Sequence, residues 1–179
     1  SNEFFKLWLD ENMHYTCAVY QAADQSLEAA QENKARVLYD FAELGPDKSV
    51  LDIGCGWGSM LEFCVRHGIK RAEGVTLSTA QAEWCYARKL DKSSIHICDY
   101  RDWKPAEPYD GLVSIEMIDH LCSPAQAREG RAIEIYREYF SKLAEWVRPG
   151  AHFGFQAILT NKIPRTRKDL QDLQFTADV

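Results

Sequence analysis

Val50-Leu51-Asp52-Ile53-Gly54-Cys55-Gly56-Trp57-Gly58 decides how the rest of the chain is read. A short apolar strand runs into three glycines spaced two apart. A helical pattern from about Ser59 to His67 follows, and Gly68 stops it. A strand that turns sharply into a helix needs backbone freedom. Glycines there also let a ligand approach the main chain without meeting a Cβ. A dinucleotide fingerprint would read GxGxxG, but here the third glycine comes one position early. Asp52 would sit badly beside a phosphate and well beside a cationic ligand or its amino group. The plain alternative is a structural tight turn.

Outward from this loop, strand and helix patterns alternate. Ala72–Thr76 reads as a second strand, and Ser78 as the N-cap of a helix over Thr79–Lys89. Strands follow at Ile95–Cys98 and Asp110–Ile115. One long amphipathic helix is expected over residues 125–147, then a Pro149-Gly150 turn and a fifth strand over Ala151–Leu159. Upstream, Ser26 is a plausible cap for a helix whose Leu27, Ala30, Lys34, Val37, Leu38 and Phe41 fall near one face, and Gly45-Pro46 ends it. Residues 3–14 have rough helical spacing, and a further helix is expected around Arg167–Leu173. Five alternations predict an α/β domain with a parallel sheet covered on both faces. In such sheets ligands bind beyond the carboxyl ends of the strands, where each motif discussed here falls.

The 179 residues suit one domain. A net charge of −6 without a long basic run argues against a nucleic-acid binder held by phosphate contacts. No apolar run is long enough to span a bilayer and no signal peptide is evident, so a cytoplasmic location is expected. The six cysteines show no CxxC or zinc-type spacing. They read as reduced thiols, mostly buried, and no metal site is expected.

Several segments together resemble the cyclopropane fatty acid synthase and mycolic acid methyltransferase family. They are residues 52–58; Gly74-Val75-Thr76-Leu77-Ser78 with Gln81; Asp99-Tyr100-Arg101-Asp102; and Ser114-Ile115-Glu116-Met117-Ile118-Asp119-His120. The Tyr15-Thr16-Cys17-Ala18-Val19-Tyr20 and Ser26–Gln31 segments, the latter with Lys34, narrow the resemblance, which covers residues 13 to about 160. It implies a Rossmann-like class I methyltransferase fold with strand order 3-2-1-4-5, and S-adenosylmethionine as cofactor. That molecule carries a sulfonium and an ammonium and no phosphate. By resemblance, Gly54, Cys55 and Gly56, with Asp52, line its methionine portion. Thr76, Leu77, Ser78 and Gln81 hold the ribose side, and Asp99, Tyr100 and Arg101 flank the adenine. Ile115 lies at the fourth strand end, and Tyr15 and Thr16 close over the methionine end. Ser78 also reads as a helix cap first, and any polar residue at a strand end is open to a turn reading.

At the reacting end the family is thought to hold a bicarbonate as base. The matching cradle is Cys17, Asp119 in place of a glutamate, and Gln156 on the fifth strand. Glu116, one helical turn before Asp119 if that segment is helical, is the alternative carboxylate. A buried thiol at Cys17, a cap or surface carboxylate at Asp119 and a packing role for His120 are the bland readings. The resemblance implies carbon methylation or cyclopropane formation on a lipid-like or carrier-bound acyl chain. Two alternatives stand beside it: an N-methyltransferase of a small amine, suited by acidic Glu116 and Asp119, and a non-catalytic cofactor-binding domain. The chain divides into an N-terminal helical segment over the cofactor site (1–45), a core (46–160) and the start of a substrate-lid insertion (161–179). The family's closing strands are missing, so a second copy or neighbouring domain is expected over the fifth-strand edge.

Overall fold

The computed structural model describes residues 2–158 and 166–168. Ser49–Ile53 (β1) is buried along its whole length, as a central parallel strand with both faces covered should be. Its alternation divides the core. Val50 faces a cluster with Leu38, Met60, Leu61 and Phe63, whereas Leu51 and Ile53 face one with Tyr139, Leu143 and Trp146. Around β1 lie Arg71–Thr76 (β2), Ser93–Ile97 (β3), Tyr109–Ile115 (β4) and Val147–Gln156 (β5), all parallel, in the order β3-β2-β1-β4-β5. The expected order is the observed one.

The helices are α1 (Asn2–Phe5), α2 (Leu27–Phe41), α3 (Ser59–Arg66), α4 (Thr79–Arg88), α5 (Pro124–Arg128) and α6 (Ala132–Trp146). Ser26 and Ser78 cap α2 and α4, their hydroxyls accepting from Ala29 N and Gln81 N. Helix α2 presses on the sheet so closely that a Cβ on Gly154 of β5 would collide with the carbonyl oxygen of Leu38.

Four local expectations are corrected. The helix expected over residues 125–147 is two helices, because a Ser123–Gln126 capping box starts one and Gly130, at φ +75°, breaks the chain before the next. Strand β5 starts at Val147, and Pro149-Gly150 lies inside it at a register irregularity between Tyr109↔Val147 and Gly111↔His152. It ends at Gln156 rather than Leu159. The N-terminal helix spans only Asn2–Phe5. Glu116 is not helical: its φ is +55°, and a 3₁₀ turn begins only at Ile118. Most of the helix expected at 167–173, and nearly all of the segment 161–179, lies outside the described residues.

Candidate functional site

The glycine loop leaves β1 with Gly54, Gly56 and Gly58 all at positive φ, from +54° to +77°. The amides of Gly54 and Cys55 both donate to Val75 O, at 2.9 and 3.1 Å, which ties the loop to β2. A Cβ on Gly54 would strike Met117 Cγ. One on Gly56 would meet no protein atom within 4 Å, because that side is a cavity of about 900 Å³. Tyr15, Thr16, Cys17, Asp52, Gly54, Cys55, Gly56, Thr76, Leu77, Gln81, Asp99, Tyr100, Arg101, Ile115 and Glu116 all line it. Of the expected residues, only Ser78, Asp119 and Gln156 stand outside its wall.

At the β2 end, Thr76 Oγ1 donates to Gln81 Oε1 at 2.9 Å and accepts the Ser78 amide at 3.2 Å. Ser78 itself is a helix cap, its hydroxyl turned to Gln81 N. Leu77 is left exposed on the cavity rim. Past β3, Asp99 accepts the amide and Nε of Arg101, each at 2.9 Å, and pairs with its Nη2 at 2.5 Å. These bonds hold the Asp99 carboxyl below its usual range. Tyr100 is fixed edge-on against Tyr139, with centroids 5.3 Å apart.

The third wall joins distant parts of the chain. Glu116 Oε1 accepts the Cys17 amide at 2.9 Å and Gln156 Nε2 at 2.6 Å, and Gln156 Nε2 also donates to Cys17 O at 3.3 Å. Burial, and then the neighbouring Glu116, push the Cys17 thiol up. Asp119 turns elsewhere, accepting the Ile158 amide at 3.1 Å. His120 lines the cavity. Cys55, Cys64 and Cys85 are buried and Cys17 is exposed, and all six cysteines are free thiols.

Three residues beside this wall, Lys34, Asp10 and His14, were given no site role from the sequence. Lys34, 1% exposed, donates to Thr16 Oγ1 at 2.5 Å. Burial pulls its ammonium down to about 8, against the upward pull of Glu116, Asp10, Cys17 and Asp52. Burial likewise pushes the Asp52 carboxyl up to about 7, opposed by Lys34. Asp10 and His14 form a buried pair, Oδ2 to Nδ1 at 2.8 Å, and Asp10 Oδ1 accepts the His14 amide at 2.7 Å. Burial works against the charged Asp10, but these bonds outweigh it and hold its carboxyl below the usual value. His14 Nε2 is buried with no hydrogen-bond partner. The available signals were a lysine on the apolar face of α2 and an Asp–His pair four residues apart. Among the described residues no group of three or more His, Cys, Asp or Glu could hold a metal ion.

The family model of mycolic acid cyclopropane synthetase matches residues 1–178. The chain belongs to the mycolic acid cyclopropane synthetase family. A probable fatty acid methyltransferase, Rv3720 of Mycobacterium tuberculosis, is 36% identical over 155 residues, which are 84% of this chain and 34% of that protein. The cyclopropane synthase MmaA2 from Mycobacterium tuberculosis superposes with a TM-score of 0.79 at 25% identity, covering 99% of this chain and 62% of that one. The mycolic acid cyclopropane synthase CmaA1, solved in complex with SAH and CTAB, gives a TM-score of 0.71 at 26% identity, covering 83% of this chain and 50% of that one. The chain thus spans about a third of the length of the first of these relatives.

The site of this mycolic acid cyclopropane synthetase family member fits one implied group and not another. The open face of Gly56 and the buried Asp52 fit a phosphate-free cationic cofactor. A bicarbonate does not fit the cradle of Cys17, Asp119 and Gln156. The Cys17 amide and both hydrogens of Gln156 Nε2 are already engaged, and the group they share is a like-charged carboxylate. Asp119 does not line the cavity, and its carboxylate is engaged by the amide of Ile158, which does.

Proposed function

We propose that this chain is the cofactor-binding part, with much of the reacting end, of an S-adenosylmethionine-dependent methyltransferase. Its acceptor is a carbon of a lipid-like or carrier-bound acyl chain. The observation that carries this reading is one cavity lined by the glycine loop, Thr76–Gln81, Asp99–Arg101 and the Tyr15–Cys17 segment together. When bound, the cofactor supplies an electrophilic methyl on a sulfonium. The chain's own residues bind and orient. Gly54–Gly56 present main chain to the methionine portion, and Thr16, polarised by Lys34, has its hydroxyl hydrogen free to donate to a carboxylate. Thr76 with Gln81 meets the ribose, and the Asp99–Arg101 clamp with Tyr100 flanks the adenine. Ser78 acts on these through its amide on Thr76 Oγ1 and through the cap at the start of α4. Asp119 positions the β5 exit rather than touching the reacting atoms.

The N-terminal segment to residue 45 covers the cofactor site over the 46–160 core. Its tie points on the core include the Cys17 amide on Glu116 and Asn12 O, which accepts from Ser59 Oγ. A second copy or neighbouring domain over the β5 edge fits that strand's place at the end of the sheet. Among the described residues no helix is long and apolar enough to cross a membrane. Together with six free thiols this supports a cytoplasmic enzyme.

A second reading, N-methylation of a small amine, is favoured by the carboxylate of Glu116 in the cavity wall, which would attract a cation. Both are tested by incubating the longest form of the protein with cofactor carrying a fully deuterated methyl and pooled acyl and amine acceptors. Loss of one deuterium in the product supports ring closure. Three retained deuteriums on carbon support simple C-methylation, and three on nitrogen support the amine reading. No labelled product from any acceptor would sink both.

A further inference from the structure

Glu116 is held in an unusual way. Its backbone is left-handed, at φ +55°, a conformation that side chains other than glycine rarely adopt and that a fold retains where the side chain has to be aimed. It follows directly on β4, where the amide of Glu116 still donates to Gln156 O at 2.8 Å. The side chain then meets the Cys17 amide and Gln156 Nε2, both on Oε1, and among the described residues no hydrogen bond engages Oε2. Of the charges acting on buried Lys34, that of Glu116 is the largest. Two N–H donors and a buried ammonium are the ingredients of an anion seat. Here the anion belongs to the chain.

We propose that Glu116 is a resident carboxylate that fills this seat permanently and serves as the proton acceptor at the reacting end, so that no dissociable anion is needed there. The inference rests on the methyl-transfer reading. Addition of a methyl to a carbon acceptor leaves a cation. Breaking a C–H bond of the added methyl sends its electron pair into the new ring bond and its proton to Glu116 Oε2. With an amine acceptor the N–H pair stays on nitrogen and the proton takes the same route. In either case the proton passes to water when product leaves.

The seat can be tested without knowing the acceptor. Tm is measured for the wild-type chain and for Glu116→Gly with sodium bicarbonate titrated against sodium chloride at constant ionic strength and pH. Glycine is at ease at this φ and empties the seat. Wild type is expected to be indifferent to bicarbonate. Glu116→Gly is expected to gain about 3 °C, saturably, as the anion fills the vacated place. Saturable stabilisation of wild type, or carbon-13 bicarbonate bound to it by NMR, would overturn the proposal, and that arm holds whether or not the variant folds. A folded Glu116→Gly that ignores bicarbonate would overturn it too. SAH titrated into the same samples by calorimetry keeps the two ideas apart. Failure of wild type to bind SAH counts against the cofactor reading, whereas the bicarbonate response reports on the seat alone.

Discussion

Lys34 carries a charge where the surroundings offer almost no water, and its neighbours make that tolerable. Thr16, Asp52, Glu116 and Asp10 surround it from three separate parts of the chain. Removing one member of a buried charged set leaves the others uncompensated. Lys34→Ala is therefore expected to cost about 3 kcal/mol or more, read as a shift of the urea midpoint at constant slope. Asp52 gives a pH signature. Folded, its carboxyl keeps the proton up to about pH 7, whereas in the unfolded chain it loses it near pH ~4. The folded state binds more protons in that interval. The contribution to stability is therefore complete below the lower value and is lost as pH rises through the upper one. Asp52→Asn should flatten this fall, and equal urea midpoint differences between acid and neutral pH in the two proteins would refute the assignment. These residues were hard to read in the sequence for a physical reason. Lys34 falls on the apolar stripe of α2, but whether such a lysine snorkels outward or is buried depends on carboxylates eighteen to eighty-two residues away. The left-handed turn at Glu116 leaves no local signature either, since glutamate is ordinarily a helix former.

Caps and breaks act at the level of the element. Ser26 and Ser78 were legible because a hydroxyl three residues before an amide is a local arrangement, and both accept the bonds expected of them. Ser26→Ala should cost about 1 kcal/mol by thermal or urea denaturation. The interruption between α5 and α6 was not legible. The apolar stripe of Ile133, Tyr136, Phe140, Leu143 and Val147 lies wholly beyond Gly130, and the capping box at Ser123 and the turn at Gly130 reveal two helices. Close approach of elements also escapes a sequence reading. Gly154 looks like any strand glycine, yet the main chain of α2 lies where its Cβ would be. Gly154→Ala is expected to cost about 2 kcal/mol, because the helix has to shift off β5. Loss of a few tenths only would mean that α2 is loosely seated.

The whole molecule is a sheet whose order was readable from alternation and resemblance, with a site assembled from parts that alternation does not connect. The glycine loop, Thr76 and Asp99 sit at strand ends, where a parallel sheet gathers ligands. The N-terminal wall is different. His14, Thr16 and Cys17 precede the first strand by more than thirty residues and line the cavity, Thr16 and Cys17 being tied there to Lys34, Gln31 and Glu116 and His14 to Asp10. Deleting residues 1–20 should leave a folded sheet by far-UV circular dichroism and weaken SAH at least tenfold by calorimetry, roughly the loss of one charge-assisted hydrogen bond or more. Undiminished affinity would mean that the segment only shields the site. That wall also contains Trp8, and the glycine loop contains Trp57, whose rings each lie within 6 Å of Phe5, at 5.8 and 4.9 Å. Both indoles line the cavity, whereas Trp84, Trp103 and Trp146 do not. The protein therefore carries its own optical reporter: occupancy of the cavity should alter the emission of two indoles against a steady background from three, with no dye attached.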